Sequence, residues 1–264
     1  MDILTHALSG VAVATCASAF VPAKPWRRAK ILFAGALGGF WPDIDAVSMW
    51  SRFDSTIGRL FHLSHTGREI YSAKFWYSHH AFFHSLVASI LFAALLLLFI
   101  YIIRRKKATS FIQFIKSHLI YFVAFILGYW AHLAGDLPTP SSSWGGVALL
   151  WPSKEYIGGF GSIWWWNNYD IFLLIVLCIA INLIAPALSK YMQKHRKTFT
   201  FAVLTLTLTL ILIQVNTRQY NYAYTRSGKY AEMEANSKKE QERILGKRLY
   251  RYMDRFDRML IIHF

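Results

Sequence analysis

One uncharged stretch of the chain, at residues 86–103, reads LVASILFAALLLLFIYII. As a helix, this stretch would be about 27 Å long, close to the thickness of the hydrocarbon core of a bilayer. Residues 171–189 and 198–216 contain no charged residue either. Helices of soluble proteins are rarely this long and this apolar on every face, so the chain is predicted to be a membrane protein.

The composition agrees with a membrane protein, because 55% of the residues are hydrophobic and only 16% are charged. Soluble domains carry about a quarter charged residues. The net charge of +15 raises the question of nucleic-acid binding. However, many Lys and Arg residues lie in short clusters between apolar runs, where they set membrane topology, and no zinc-finger or RNA-binding signature is present. No nucleic-acid partner is therefore expected.

The apolar runs predict an all-α fold: a polytopic helical membrane bundle of about six spans, with a C-terminal extramembrane helical tail. The spans are expected at residues 3–21, 29–41, 82–103, 111–135, 169–189 and 198–215. The second span is short and glycine-rich, so it either crosses the membrane or is re-entrant. Small residues and histidines in the first, second and fourth spans predict that these helices pack inside the bundle.

Lysine and arginine concentrate in three predicted loops that contain no acid, at residues 24–30, 104–116 and 190–197. The positive-inside rule makes these loops cytoplasmic and places both termini outside. The tail, residues 217–264, would also be outside although it is basic. Its helical spacing predicts either a surface helix against anionic headgroups or a helix that closes over the loops. The Trp-rich loop, residues 137–168, is expected at headgroup level or as a lid over a site.

Histidines and aspartates gather in four short motifs. These are Thr5-His6-x3-Gly10, Pro42-Asp43-x-Asp45, His79-x4-His84-Ser85 and Gly128-x3-His132-x3-Asp136. Taken singly, each motif is also compatible with helix capping or ordinary packing. The predicted topology, however, places all four at the outer ends of the first four spans. Ionisable groups at membrane depth are costly and usually functional, so the four motifs are predicted to form one site.

The residue types in these motifs are those of a divalent-metal site. Imidazole and carboxylate ligands together suit zinc, and also manganese or iron. The candidate metal ligands are His6, Asp43, Asp45, His79, His84, His132 and Asp136. This set exceeds one tetrahedral centre, so two or three ions are expected. Asp43 and Asp45 are the candidate catalytic residues, either bridging ions or acting as a base towards water. Candidate accessory residues are His80, His62, His65 and Asp2.

As an ordered set, followed by Leu150-Trp151-Pro152, these motifs resemble the YdjM-type family. The family is described as inner-membrane, metal-dependent hydrolases, some under LexA control, and the resemblance implies metal roles for the same seven His and Asp residues. The family in turn is similar to zinc-dependent phospholipase C and the single-strand zinc nucleases, by remote analogy. The usual His-Arg-Gly-x-Thr-His-Ser motif is altered here, with His80, Ala81 and Phe83 in place of its Arg, Gly and Thr.

The chain is therefore expected to contain a metal-site membrane domain at residues 1–152, two further spans within residues 153–216, and the basic tail at residues 217–264. The predicted function is a membrane-embedded metal-dependent hydrolase of the bacterial inner membrane, acting on a phosphoester or lipid-linked substrate at the outer face. The alternative is a non-enzymatic metal carrier or sensor. A zinc protease is disfavoured, because the His-Glu-x2-His signature is absent from the sequence.

Overall fold

The computed structural model describes residues 2–21, 24–104, 110–140, 144–159, 164–165, 167–219 and 230–260. Parts of three predicted segments lie outside these ranges: residues 105–109 of a basic loop, residues 141–143, 160–163 and 166 of the Trp-rich loop, and residues 220–229 and 261–264 of the tail. The described residues are predominantly helical and form no strand beyond an isolated bridge between Val147 and Ile157. The predicted all-α class is confirmed.

Nine α-helices follow one another along the described residues. They are α1 (Ile3–Ala19), α2 (Pro25–Phe40), α3 (Gly67–Ser72), α4 (Leu86–Arg104), α5 (Phe111–Asp136), α6 (Tyr169–Leu188), α7 (Lys190–Lys194), α8 (Arg196–Asn216) and α9 (Tyr230–Met259). Between them lie two 3-10 helices, Trp41–Met49 and Phe82–His84, and a π-helical turn, Asp54–Gly58. The first 3-10 helix follows α2 directly, and the second lies just before α4.

Four of these helices are long and apolar enough to cross a membrane: α4, α5, α6 and α8. They correspond to the third to sixth predicted spans. Helix α1 is apolar but has only 17 residues. Helix α2 has 16 residues and begins at Pro25, before the predicted start at residue 29, because proline at the first helical position is compatible with helix initiation.

Helices α1, α2 and α5 form the inner layer of the bundle, with α2 packed against both of its neighbours. Their backbones touch at glycines. A Cβ atom at Gly10 or Gly128 would overlap the carbonyl oxygen of Gly35, and one at Gly39 would overlap that of His6. Small residues let helices approach closely within a membrane, so these glycines determine how near α1 and α5 come to α2. The first and fourth predicted spans, α1 and α5, are packed on more than one side, whereas α2 buries its glycine face and leaves Trp26 and Phe33 exposed.

The other long helices pack on two members of this layer, α5 and α1. Helix α4 packs against α5, whereas α6 and α8 pack against α1. Ala12 of α1 shares an apolar cluster with Ile175 of α6 and Val215 of α8. Asn182 of α6 is fully buried and donates a 2.8 Å hydrogen bond to the hydroxyl of Thr15 in α1. The last two predicted spans are thus fixed to α1, the helix that carries His6.

Helix α9 closes over the beginning of α6. Trp165 Nε1 donates to Glu234 over 2.6 Å, and the hydroxyl of Tyr169 donates to Asp257 over 2.8 Å. The helix bends at Gly246, whose φ of 73° lies in the left-handed region that glycine adopts readily. Of the two interpretations of the tail, these contacts favour a helix that closes over loops. The N-terminus of α1 lies at this same end, because Asp2 and Met253 line one small pocket.

A buried ion pair lies beneath α9. Asp170, in the first turn of α6, accepts hydrogen bonds from Arg218 over 2.8 and 3.0 Å. Both side chains are at least nine-tenths buried. The pair fixes the segment that follows α8 to the beginning of α6, where α9 also docks.

Candidate metal centre

The candidate centre lies at the end of the bundle where α1 begins and where α2 and α5 end. Three of its residues stand four positions from a glycine of the inner helix contacts, which is about one helical turn. The pairs are His6 with Gly10, Asp43 with Gly39, and His132 with Gly128. Because the glycines bring the three backbones into contact, side chains one turn further along converge. The four-residue spacing of histidine and glycine in two of the motifs is therefore explained by helix packing: the glycine lies at the helix contact and the histidine one turn away, in the centre.

One group of ligand atoms comes from α1 and α5 and consists of His6, His132 and Asp136; we call it the first triad. His6 Nε2 lies 3.0 Å from Asp136 Oδ1, and His132 Nε2 lies 2.9 Å from Asp136 Oδ2. His132 Nδ1–H donates to the carbonyl of Gly39 over 2.8 Å. A carbonyl oxygen can only accept, so the proton is on Nδ1 and the Nε2 lone pair points towards the cluster.

A second group comes from the segment before α4 and consists of His79, His80 and His84; we call it the second triad. His79 Nδ1 lies 2.6 Å from Asp45 Oδ1, and His80 Nδ1 lies 3.1 Å from the carbonyl oxygen of Gly146. Both partners accept hydrogen bonds, so both Nε2 atoms are left as potential metal ligands. The backbone of His80 has a φ of 64°, which turns the chain so that consecutive histidines can enter one site.

Asp43 lies between the two triads. Its Oδ1 atom is 3.6 Å from His84 Nε2 and 3.6 Å from His132 Nε2. These two nitrogens are themselves 3.3 Å apart. A third possible ligand group consists of Asp43, His84 and His132. It contains one histidine of each triad. The side chain of Asp43 is 13% exposed, whereas those of both histidines are fully buried, so solvent reaches the centre beside this carboxylate.

The carboxylates dominate the electrostatics of the part of the centre outside the spans. Burial alone would lower the pKa of His84, but the carboxylates of Asp45, Asp43 and Asp136 outweigh it and raise that pKa to about 10. Burial likewise opposes ionisation of Asp45, yet His79 and His84 keep its pKa below the usual value. The negative potential that favours a proton on His84 would equally favour a divalent cation.

Aromatic side chains cover the second triad. Tyr71 of α3 stacks on His79, with ring centroids 4.5 Å apart, and the Trp144 ring lies 4.5 Å from that of His80. Trp144 Nε1 donates to the carbonyl of Tyr71 over 2.8 Å, which fixes the two rings together. The Trp-rich loop thus supplies a wall over the site through Trp144. Tyr71 was missed from the sequence, where it stands in no motif and carries no recognisable signal.

The structure brings every one of the seven predicted ligands to this centre, with Asp45 placed behind the histidines of the second triad rather than within a triad. Among the accessory candidates, His80 joins the cluster. His62 is exposed, and His65 stacks on Phe75, so neither belongs to the described ligand groups. Asp2 caps α1 by accepting from the amide and hydroxyl of Thr5, and it thus stabilises the helix rather than orienting His6.

The donor set fits divalent metal ions of the zinc type. Within each ligand group the candidate ligand atoms lie within 4.8 Å of one another, and two of the three groups combine imidazole nitrogens with a carboxylate oxygen. These side chains are almost completely buried. His6 Nδ1 is buried and has no hydrogen-bond partner among the described residues. Such a concentration of buried polar groups is costly unless a bound ion or a proton network compensates it. The buried His and Asp clusters could therefore hold metal.

Comparison with known proteins identifies the family. No curated protein and no solved structure matches the chain. The family profile described as YdjM inner membrane protein matches residues 1–221, which is 221 of the 264 residues. The match includes both triads, Asp43, the Trp-rich loop and all four helices that are long enough to span a membrane. The chain is a membrane protein that belongs to the YdjM inner membrane protein family.

Proposed function

We propose that this protein is a metal-dependent hydrolase that cleaves a phosphoester in a lipid or lipid-linked substrate. The observation that carries the proposal is the presence of two ligand triads that share no residue, with Asp43 between them. Each triad can hold one ion, so two ions can be bound at once. A third ion at Asp43 would compete with the other two for His84 and His132. Zinc suits these ligands best, and manganese and iron are alternatives.

Bound divalent ions polarise a phosphoryl oxygen and make water more acidic, which is the chemistry that hydrolysis requires. Asp43 is the most exposed carboxylate of the centre and can accept the proton of the attacking water. Asp45 and the Gly39 carbonyl hold His79 and His132 in the tautomers whose Nε2 atoms face the cluster. The wall formed by Tyr71 and Trp144 limits access of bulk water from the side of the second triad.

An apolar groove beside the first triad supports a lipid substrate. It has a volume of about 400 Å³ and lies among α1, α5, α6 and α8, with Trp164 at its margin. Ala131 and Gly135, which line it, directly precede His132 and Asp136. The groove lies among membrane-spanning helices, so a hydrocarbon chain is its natural occupant. A lipid lying there would bring its headgroup phosphoester close to the triads.

The centre is proposed to face the external side of the inner membrane, as do both termini. Support comes from the distribution of charge. The described basic residues at the beginning of α2 and around α7 lie at the other end of the bundle, where α1 ends and α8 begins. Basic loops are retained in the cytoplasm by the positive-inside rule.

The decisive test is metal analysis of the detergent-purified protein, followed by hydrolysis assays on phospholipids and lipid-linked phosphoesters with that metal restored. We expect about two ions per chain and release of a water-soluble phosphate product. His6→Ala and His84→Ala should each lower the metal content and abolish turnover, whereas His62→Ala, at an exposed position, should change neither. A metal-loaded protein that hydrolyses no phosphoester but carries metal ions into liposomes would instead be a carrier.

A further inference from the structure

A second polar cavity lies at the opposite end of the bundle, where α1 ends and α8 begins. Along α1, this end is about 20 Å from His6 at 1.5 Å per residue. The cavity is open and has a volume of about 550 Å³. The charged or titratable side chains that line it are Arg28, Lys194, His195, Arg196 and Lys197. It contains none of the ligands of the candidate metal centre, so it is a separate feature of the molecule.

Arg196 is the buried element of this cavity. The residue is only 8% exposed, and its Nη2 donates to the hydroxyl of Ser18 over 3.0 Å. Its Nε and Nη1 atoms are also buried but have no hydrogen-bond partner among the described residues. A buried guanidinium with unsatisfied donors is costly, and an anion in the cavity would satisfy them.

Arg28, at the beginning of α2, also has an unsatisfied donor, because its Nε atom is buried and has no hydrogen-bond partner among the described residues. Neither arginine takes part in any ion pair of the described chain. The adjoining sequence at residues 24–30 and 189–198 contains no aspartate or glutamate. Two positive charges therefore face one cavity with no negative group nearby in sequence to balance them, and their mutual repulsion favours binding of an anion.

The beginning of α8 adds to this potential. Helix α8 starts at Arg196, no side chain caps it, and its first turn has no acidic residue. The first amides of a helix carry a partial positive charge and bind anions. The helix has 21 residues, so its dipole is fully developed. Thr198, in this first turn, also lines the cavity and offers a hydroxyl donor.

We infer that this cavity binds a phosphate group between Arg28 and Arg196. Guanidinium groups match the geometry of phosphate oxygens and form charge-assisted hydrogen bonds with them. The phosphate belongs either to the headgroup of a phospholipid in the adjacent leaflet or to a free phosphate ion. Phe20, which is half-exposed at the rim with Lys197 Nζ 5.1 Å above its ring, provides an apolar surface beside the charges.

The experiment measures anion binding to the full chain in detergent by thermal stabilisation and by native mass spectrometry. One arm titrates inorganic phosphate, and the other adds phosphatidylglycerol or, for comparison, an uncharged lipid. We expect saturable binding of one phosphate-bearing molecule, weakened about tenfold or more in Arg28→Gln and in Arg196→Gln, since each removes charged hydrogen bonds. Binding in the phosphate arm identifies a free anion as sufficient, and binding only in the lipid arm identifies the headgroup.

Arg27→Gln is the matched control, because it removes the same charge from the adjacent position of α2 but does not line the cavity. It should bind phosphate or lipid as the wild type does. Retention of metal by the variants reports that the bundle is folded, since the metal centre lies at the other end. Equal loss of binding in Arg27→Gln and Arg28→Gln, or no saturable binding in either arm, would overturn the inference.

Discussion

Asp43 is the residue at which the two triads meet, and in the proposed hydrolase its role differs from that of the other candidate ligands. It lies 3.6 Å from a nitrogen of each triad but belongs to neither. We expect Asp43→Asn to lower kcat for lipid phosphoester hydrolysis by about 100-fold or more, because the amide cannot accept the proton of the attacking water. Both triads should retain their ions, which elemental analysis of the same preparation would show.

Asp43→Asn has a matched control in His62→Ala, at an exposed histidine of the loop that precedes α3. This control should leave turnover and metal content unchanged. Full turnover by Asp43→Asn would exclude Asp43 from the chemistry. Simultaneous loss of both ions would show that Asp43 is a structural ligand that the two triads require.

Asp45 acts through His79, whose Nδ1–H it accepts over 2.6 Å. In Asp45→Asn the neutral amide holds the imidazole less firmly and makes it a weaker ligand. We expect metal affinity to fall by about 10- to 100-fold, as is typical when the partner of a ligating histidine is changed. Competition with a chelator of known affinity measures this. Unchanged affinity would mean that stacking on Tyr71 is enough to orient His79.

The residues of the centre could be predicted only in part. His6, Asp43, His132 and Asp136 could be found because a topology built from lysine and arginine placed them at one face, and because they stand in a family motif. The covering role of Tyr71 could not be predicted, since its contact with His79 depends on how the loop folds back. The partners Gly39 and Gly146 act through backbone carbonyls, which no residue type reveals.

At the scale of helices, hydrophobicity locates the spans but does not fix their ends. The third predicted span begins at residue 82, whereas α4 begins at Leu86 after a 3-10 turn, Phe82–His84. Two phenylalanines there are apolar enough to continue the pattern, yet the left-handed backbone at His80 redirects the chain. Periodicity reports which side chains avoid water, and it is insensitive to such local turns.

The glycine contacts of the inner helices lead to a prediction about stability. At Gly39 a Cβ would overlap the carbonyl oxygen of His6, so Gly39→Ala must push α1 away from α2. We expect a loss of about 1–3 kcal/mol in stability, the usual cost of overpacking. The thermal melting temperature in detergent should fall, and metal content should fall with it, because the displaced helix carries His6.

Gly58→Ala is the control for that substitution. Gly58 is also helical and buried, but a Cβ there meets nothing nearer than 3.5 Å, an ordinary contact. It should leave both the melting temperature and the metal content close to those of the wild type. If Gly39→Ala were equally harmless, close contact between α1 and α2 would not be needed to assemble the centre.

At the scale of the whole molecule, the two ends of the bundle differ in their buried polar groups and in the charge of their short loops, although helix α9, at the His/Asp end, is itself basic. One end gathers the buried histidines and aspartates beside Trp144, and helix α9 docks at the same end, near the N-terminus of α1. The other gathers arginines and lysines around the cavity between α1 and α8. A membrane protein with its basic loops at one end orients that end towards the cytoplasm. The orientation is therefore a property of the whole chain, and it can be tested without any assay of activity.

Cysteine labelling makes this test sharp, because the native thiols of Cys16 and Cys178 are buried and give little background. Leu150→Cys places a thiol at a half-exposed position in the loop beside the centre, and Lys190→Cys places one at the exposed start of α7. With a maleimide that cannot cross the inner membrane, we expect Leu150→Cys to react in intact spheroplasts and Lys190→Cys to react only after lysis. The reverse pattern would place the metal centre in the cytoplasm and would require its substrate to be drawn from the inner leaflet.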